Sequence, residues 1–302
     1  MKENVDLFGN PIQKDELLRD KFIEPPFSIL DTKSGNWQKR KNLWKKLGIK
    51  SEVGRDVKLF SMGVKSYTNK EEYVAEESTK FNTSIFDPAL CEVLYHWFCP
   101  KGGEILDPFA GGSVRGIVAQ HLGYYYTGID IRHEQIESNL EQAHEILGDN
   151  IPNWYVGDSD VLLNADDCES PFFAQNERFD LIFSCPPYAD LEVYSDLEGD
   201  VSNMEYETFL IAYQNIIEKS CKLLKVGGFA CFVVGEIRDK KGNYRGFVPD
   251  TINAFTQSGV DYYNEAILLN AVASASMRAN GNMKTNKLVK IHQNVLIFKK
   301  NK

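Results

Sequence analysis

The chain has 302 residues, of which 43% are hydrophobic and 25% charged, with a formal net charge of −9. Those proportions are ordinary for a globular protein, the acidic balance argues against broad non-specific nucleic-acid binding, and no apolar run approaches the ~18 residues of a membrane span. The polar start Met1-Lys2-Glu3-Asn4 is no signal peptide, and six cysteines without a CxxC pair give neither a disulfide cadence nor a zinc site, which fits a reducing cytoplasm.

Residues 1–30 read as irregular, with a turn at Asp6-Leu7-Phe8-Gly9-Asn10-Pro11 and an extended linker at Glu24-Pro25-Pro26-Phe27. Asn36 to Gly48 is predicted as a helix ended by its glycine. It carries Lys39, Arg40, Lys41, Lys45 and Lys46, interleaved with Trp37 and Trp44, and no acid falls between Lys33 and Lys50. Two readings stand: a helix lying along phosphates, or a solvated helix whose tryptophans pack on the main domain. Residues 51–80 are polar and read as a linker. The chain is therefore divided into an extension, 1–80, and a main domain, 81–302.

In the main domain, Asp87-Pro88 starts a helix, with Asp as N-cap and Pro in the first turn. Leu90, Val93, Leu94, Trp97 and Phe98 then repeat at helical spacing. Glu104 to Asp107 is a short strand, followed by Pro108-Phe109-Ala110-Gly111-Gly112-Ser113 and a helix from Val114 to Leu122. Small residues there let backbone N–H groups approach a ligand at a helix N-terminus. The turn is neither a P-loop nor GxGxxG. Tyr124 to Asp130 is a second strand, Ile131 to Leu147 a helix, and Trp154 to Asp158 a third strand. An acid at the end of the second strand suits ribose hydroxyls.

The fourth strand, Phe179 to Ser184, runs into Cys185-Pro186-Pro187-Tyr188. Consecutive prolines cannot donate ladder bonds, so the strand stops there. Their carbonyls are left without obligatory partners, and their rigid backbone fixes where the tyrosine points. Strand ends of open α/β sheets are where ligands bind. The acidic loop from Ala189 to Asn203 follows, as either a lid or a solvated loop. A helix spans Tyr206 to Ile217, with strands at Phe229 to Gly235, Tyr262 to Leu269 and His292 to Lys299, and a helix from Pro249 to Gln257. Residues 274–290 carry Arg278, Lys284, Lys287 and Lys290 without an acid. They read as a basic loop between antiparallel strands, suited either to a DNA backbone or to a free hairpin.

Asp107 to Val114 resembles the D-P-F-x-G-S-G-T loop of DNA amino-methyltransferases, with Gly112-Ser113 here where that pattern has Ser-Gly. Ser184 to Tyr188 resembles the polar-residue, Pro, Pro, aromatic motif of the same N4-cytosine/N6-adenine family. Residues 27–55, 107–116 and 184–196 resemble phage and prophage modification methylases in particular. The resemblance implies a Rossmann-like class I methyltransferase fold: a seven-stranded, mostly parallel sheet with its last strand antiparallel and helices on both faces. It implies S-adenosyl-L-methionine held by Phe86, Asp107, Pro108, Phe109, Ala110, Gly111, Gly112, Ser113, Asp130, Ile131, Asp158 and Ser159, with Asp158 beside the adenine amine. It implies catalysis by Ser184, Cys185, Pro186, Pro187 and Tyr188 on an exocyclic amine of a base flipped out of double-stranded DNA, adenine N6 ahead of cytosine N4. Phosphate contacts would come from Lys39, Arg40, Lys41, Lys45 and Lys46, and from Arg278, Lys284 and Lys287. The setting implied is the cytoplasm of a bacterial or phage-infected cell. The family usually places Asp, Asn or Ser where this chain has Cys185, and a thiol accepts weakly. An RNA or protein-amide methyltransferase, and a catalytically silent binding protein of this fold, are the alternatives.

Overall fold

The computed structural model describes residues 18–49, 86–188, 197, 199–270, 272 and 275–302. Eight strands form one sheet in the order β1-β7-β8-β6-β5-β2-β3-β4. They are β1 (Ile29–Asp31), β2 (Glu104–Asp107), β3 (Tyr125–Asp130), β4 (Asn153–Val156), β5 (Phe179–Ser184), β6 (Leu224–Val234), β7 (Asp261–Leu269) and β8 (His292–Lys299). Only β8 runs against its neighbours, β6 and β7; every other pairing is parallel.

Alternation within the strands builds two apolar layers, because successive side chains leave a strand on opposite faces. Leu181, Phe183, Cys231 and Val233 face one layer, while Ile182, Ala230 and Phe232 face the other. The first is covered by α2 (Gly35–Lys46), α3 (Pro88–Phe98) and α4 (Val114–His121), the second by α7 (Tyr206–Leu223) and α8 (Phe247–Gln257). The chain builds outward from β2 through β3 to β4, then returns to β5 on the other side of β2. This reversal opens a crevice at the carboxyl ends of β2 and β5, the usual ligand position in such sheets.

The eighth strand departs from the seven expected. β1 pairs in parallel with β7, Ile29 opposite Ile267 and Asp31 opposite Leu269, and Leu269 O accepts from both the Thr32 backbone N–H and its hydroxyl, the latter at 2.8 Å. Three residues beside Pro25-Pro26 carry too little periodicity to read as a strand. A second departure is α9 (Ala275–Met283), a helix where a basic loop was expected. α1 (Leu18–Phe22), α5 (His133–Leu147) and α6 (Ser159–Leu162) complete the helices. Among the described residues, no helix is long and apolar enough to cross a membrane.

The helix in the extension is bound to the sheet layer. Trp37 and Trp44 lie seven residues apart on one face of α2, and both are buried. Trp37 Nε1 donates to Asp87 Oδ2 at 3.1 Å, and Trp44 Nε1 to Glu92 Oε2 at 2.8 Å. Arg40 and Lys41 share that face, so they pair with the same two acids, at 2.6 Å and 2.9 Å. Arg40 and Lys41 therefore serve α3, and only Lys39, Lys45 and Lys46 of the five expected phosphate contacts are exposed. Trp44 also meets His121, the last residue of α4, with ring centroids 5.2 Å apart. Since α4 starts at the carboxyl end of β2 and runs back, Lys45 and Lys46 lie toward the end of the sheet away from the crevice. The turn at 6–11, the linker 51–80 and the acidic positions Asp190, Glu192, Asp196 and Glu198, with Tyr194, lie outside the described residues.

Candidate functional site

The crevice is framed by a buried carboxylate. Asp107 ends β2 with no solvent exposure. Its Oδ1 accepts from the Ser184 hydroxyl at 2.6 Å and from Phe109 N at 3.2 Å. Its Oδ2 accepts from the Tyr126 hydroxyl at 2.7 Å and from Arg115 Nε. Arg115 Nη2 donates onward to the carbonyls of Phe109 and Ala110, each at 2.7 Å. Burial alone would lower the Arg115 pKa, but the adjacent Asp107 charge holds it well above its ordinary value. A buried ion pair survives only when its remaining donors and acceptors are satisfied, and here the loop backbone satisfies them. Asp107 and Ser184 are thus placed beneath the crevice as supports and have no face toward a ligand.

Arg115 escaped the sequence reading, although it left a signal. A cation in the first turn of a helix opposes the macrodipole, so its place in α4 needs a local reason, and Asp107 is that reason.

The glycine loop is tied to one stripe of α5. Asn139 Nδ2 donates to Gly111 O at 2.7 Å, and the Ser113 hydroxyl donates to Gln142 Oε1 at 2.7 Å. Gln135 Nε2 donates to Asn139 Oδ1 at 2.9 Å and its Oε1 in turn accepts from Arg132 Nη2 at 2.8 Å. These buried polar residues recur at four and three positions on the inward face of α5, a pattern visible in the sequence but not used there. Gly111 has φ +50°, a left-handed conformation that glycine adopts without strain. Ser113 has φ −65° and ψ −17°, so the exchange of Ser-Gly for Gly112-Ser113 asks nothing unusual of the serine.

Asp130 closes β3 and is largely buried. Its Oδ2 accepts from Gly111 N and its Oδ1 from Arg132 N, both at 2.9 Å. Burial pushes its carboxyl above the ordinary value, against the Arg132 charge and the two backbone donors. Asp158, after β4, caps α6 by accepting from Asp160 N at 2.8 Å, and burial raises its pKa too. The Ser159 hydroxyl donates to Pro108 O at 2.6 Å, joining this end to the loop after β2. Gly199 arrives over both: it has φ +88°, and a Cβ there would stand 2.8 Å from Asp158 Oδ2 and 3.4 Å from Ile131 Cδ1. Gly199 therefore packs against Asp158 and Ile131. Of the expected cofactor residues, Phe109, Gly111, Gly112, Asp130, Ile131 and Asp158 keep partial exposure, whereas Asp107, Pro108, Ala110, Ser113 and Ser159 are buried supports. Phe86 lies behind them, its ring 5.7 Å from Phe183 and 4.7 Å from the Arg115 guanidinium.

The opposite wall is the segment after β5. Cys185, Pro187 and Tyr188 are partly exposed and Pro186 is buried. The Tyr188 ring packs edge-on against Phe247 at 5.8 Å, and its hydroxyl accepts from Gln293 Nε2 at 2.9 Å. Gln293 belongs to β8, 105 residues away, and no local pattern announces it. Gly235, just beyond β6, leaves a gap beside the ring: a Cβ there would lie 3.8 Å from both the Tyr188 hydroxyl and Lys290 Nζ. Arg278 and Lys284 are exposed, and Lys287 packs on Gly242.

No family model matches the chain, and no curated protein matches it. Among solved structures, TrmN from Thermus thermophilus aligns at 14% identity over 71% of this chain and 49% of its own, with a TM-score of 0.46. A geranyl diphosphate C-methyltransferase from Streptomyces coelicolor A3(2) aligns at 13% over 70% of this chain and 78% of its own, TM-score 0.48. A proposed DNA modification methylase, also from Thermus thermophilus, aligns at 18% over 48% and 51% respectively, TM-score 0.34. This chain thus spans about half the length of the first and third. At such identities the likeness is one of chain path alone. With its switch point between β2 and β5 and its single reversed strand β8, the sheet is a Rossmann-like α/β fold, extended by β1 at its edge.

Proposed function

We propose that the chain transfers a methyl group from S-adenosylmethionine to an exocyclic amine of a DNA base, adenine N6 ahead of cytosine N4. The observation that carries the reading is the position of the Cys185-Pro186-Pro187-Tyr188 wall. It stands across the switch-point crevice from the glycine loop, and the 2.6 Å Ser184–Asp107 hydrogen bond fixes one wall to the other.

The cofactor fits the residues present. Asp130 is a largely buried carboxylate at the end of β3 with one backbone donor on each oxygen, and a carboxylate has further acceptor capacity for donors such as ribose hydroxyls. Gly111 and Gly112 bring backbone close to the crevice, and Asp158 suits an adenine amine. When bound, S-adenosylmethionine supplies a methyl group on an electrophilic sulfonium.

The chain's own contribution is placement and charge stabilisation. The Tyr188 ring, held by Gln293 and Phe247, offers a stacking face for a planar base. Transfer of that methyl to the amine lone pair would put positive charge on the nitrogen, which would then lose a proton to solvent. Acceptors fixed in advance at Pro186 O and the Cys185 thiol stabilise that charge more than the neutral amine, which is what lowers a barrier. Holding both reactants in the crevice removes much of the entropic cost of encounter.

The test is incubation of the full chain with labelled-methyl cofactor and duplex DNA, RNA or protein, followed by digestion and mass spectrometry. N6-methyladenine or N4-methylcytosine from DNA is expected. Label in RNA or protein alone, or cofactor binding without transfer, would overturn the reading.

A further inference from the structure

Two basic segments that lie 40 residues apart in sequence meet at the mouth of the Tyr188 pocket. The first is a hairpin closed by the Arg238–Tyr244 bridge. Arg238 Nη1 donates to Gly242 O at 2.7 Å, and its guanidinium lies 4.1 Å from the Tyr244 ring centroid. This bracing leaves Lys240 and Lys241 exposed at the tip. The second runs from α9 to β8. Its Lys287 side chain occupies the space a Cβ at Gly242 would need, so the two segments interlock.

The acids of this region are each held by neighbouring donors. Glu236 accepts from Gly246 N and Val248 N at 3.2 and 3.1 Å at the start of α8. Asp239 accepts from Asn243 N at 2.8 Å within the hairpin turn. Glu265 accepts from Asn294 at 2.6 Å. Over residues 238–244 and 284–290, Arg238, Lys240, Lys241, Lys284, Lys287 and Lys290 outnumber the single acid Asp239, on a chain whose net charge is −9. Within this basic surface Leu288 is 76% exposed. It lies between Lys287 and Lys290, whose ammonium borders the gap at Gly235 beside Tyr188.

We infer that the 238–244 hairpin and the 284–290 segment form one docking surface for duplex DNA, with Lys240, Lys241, Lys284 and Lys287 on phosphates and Leu288 against the base stack. The inference rests on Tyr188 being the base-stacking residue, because a surface at that mouth serves whatever carries the acceptor. A partner with regularly spaced phosphates and stacked apolar bases matches both features. Basic side chains supply the salt-dependent part of binding, and apolar wedges enter where a base step is opened.

The experiment is fluorescence anisotropy of the full chain with a labelled short duplex across a salt series. K240E/K241E/K284E/K287E should weaken binding at least tenfold at low salt, and flatten the log–log salt slope by about one unit per contacting lysine. Leu288→Ala should weaken binding several-fold with the slope unchanged. A control, K101E/K302E, reverses exposed lysines at the opposite end of the sheet and should retain wild-type slope. Calorimetric cofactor affinity, unchanged in every variant, reports that the fold is intact. A wild-type slope in the fourfold variant, while wild type methylates DNA, overturns the docking surface and leaves the proposed function standing. Flattening by K39E/K45E/K46E instead would move the duplex to α2 and overturn it as well. If wild type binds cofactor but prefers RNA or anionic vesicles over duplex, both readings fall.

Discussion

The Ser184 hydroxyl and the Asp107 carboxylate, 77 residues apart in the chain, meet at 2.6 Å with no water access to either. This one bond couples the wall that would receive the base to the loop that would hold the cofactor. Ser184→Ala should leave one carboxylate lone pair unsatisfied in the interior, at a cost of about 1–3 kcal/mol in urea unfolding. Cofactor affinity should stay within a few-fold, because the Asp107–Arg115–Tyr126 contacts remain. A larger loss of cofactor than of stability would place Ser184 in the pocket itself.

Asp107→Asn should be worse. It strands the buried Arg115 charge, and breaking a buried pair on one side costs about 3–5 kcal/mol. Replacing both partners, Asp107→Leu with Arg115→Met, should recover much of that stability while leaving the Phe109 and Ala110 carbonyls without their donor. Equilibrium unfolding of the two variants separates charge burial from loop bracing.

Asp130 sets a pH dependence. Burial raises its carboxyl above the usual value of 3.8, so on acidification the free site takes up its proton at a higher pH than an exposed aspartate would. Here the carboxyl loses its charge as pH drops, whereas ribose hydroxyl donors favour the charged form and lower the pKa in the complex. Affinity should therefore be complete above the raised value and fall as pH drops through it. Calorimetry from neutral to acid pH checks this. Asp130→Ala should cost more than ~1 kcal/mol of binding at neutral pH and abolish the pH dependence.

Cys185 and Tyr188 distinguish two chemistries. If Cys185 only lines the amine pocket, Cys185→Ser keeps substantial activity, since a hydroxyl accepts at least as well as a thiol. Tyr188→Ala loses more, because base–aromatic stacking is worth roughly 1–3 kcal/mol. Covalent attack on cytosine C6 predicts the reverse order, with a protein adduct trapped on a 5-fluorocytosine duplex. Steady-state rates and denaturing gels decide between them.

The α2 helix offers a stability test. Trp44→Ala should cost about 3–5 kcal/mol, as for other large buried aromatics, since it opens a hole between α2 and α3 and removes the donor to Glu92 Oε2. Trp44→Phe should cost much less. Equal thermal stability for wild type and Trp44→Ala would mean that the helix is dispensable to the sheet.

The sequence alone determined the succession of strand ends. Asp107, Asp130 and Asp158 each stop a strand and start a helix or turn, and Cys185-Pro186-Pro187-Tyr188 stops the fourth. Each is a local event, set by side chains within a few residues of the backbone they terminate. The tertiary structure decided which side chains stand in the crevice and which hold it up. Arg115, Asn139 and Gln142 became supports of the glycine loop only when α4 and α5 packed beside β2. Likewise, α2 had open alternatives until Trp37 and Trp44 found Asp87 and Glu92 roughly 50 positions later. β1 became a strand only because β7, more than 230 residues downstream, offered its free edge. A three-residue segment has no periodicity of its own, and a hydrogen bond between distant residues leaves no local trace; both are fixed by the sheet order, which the whole chain must fold to establish.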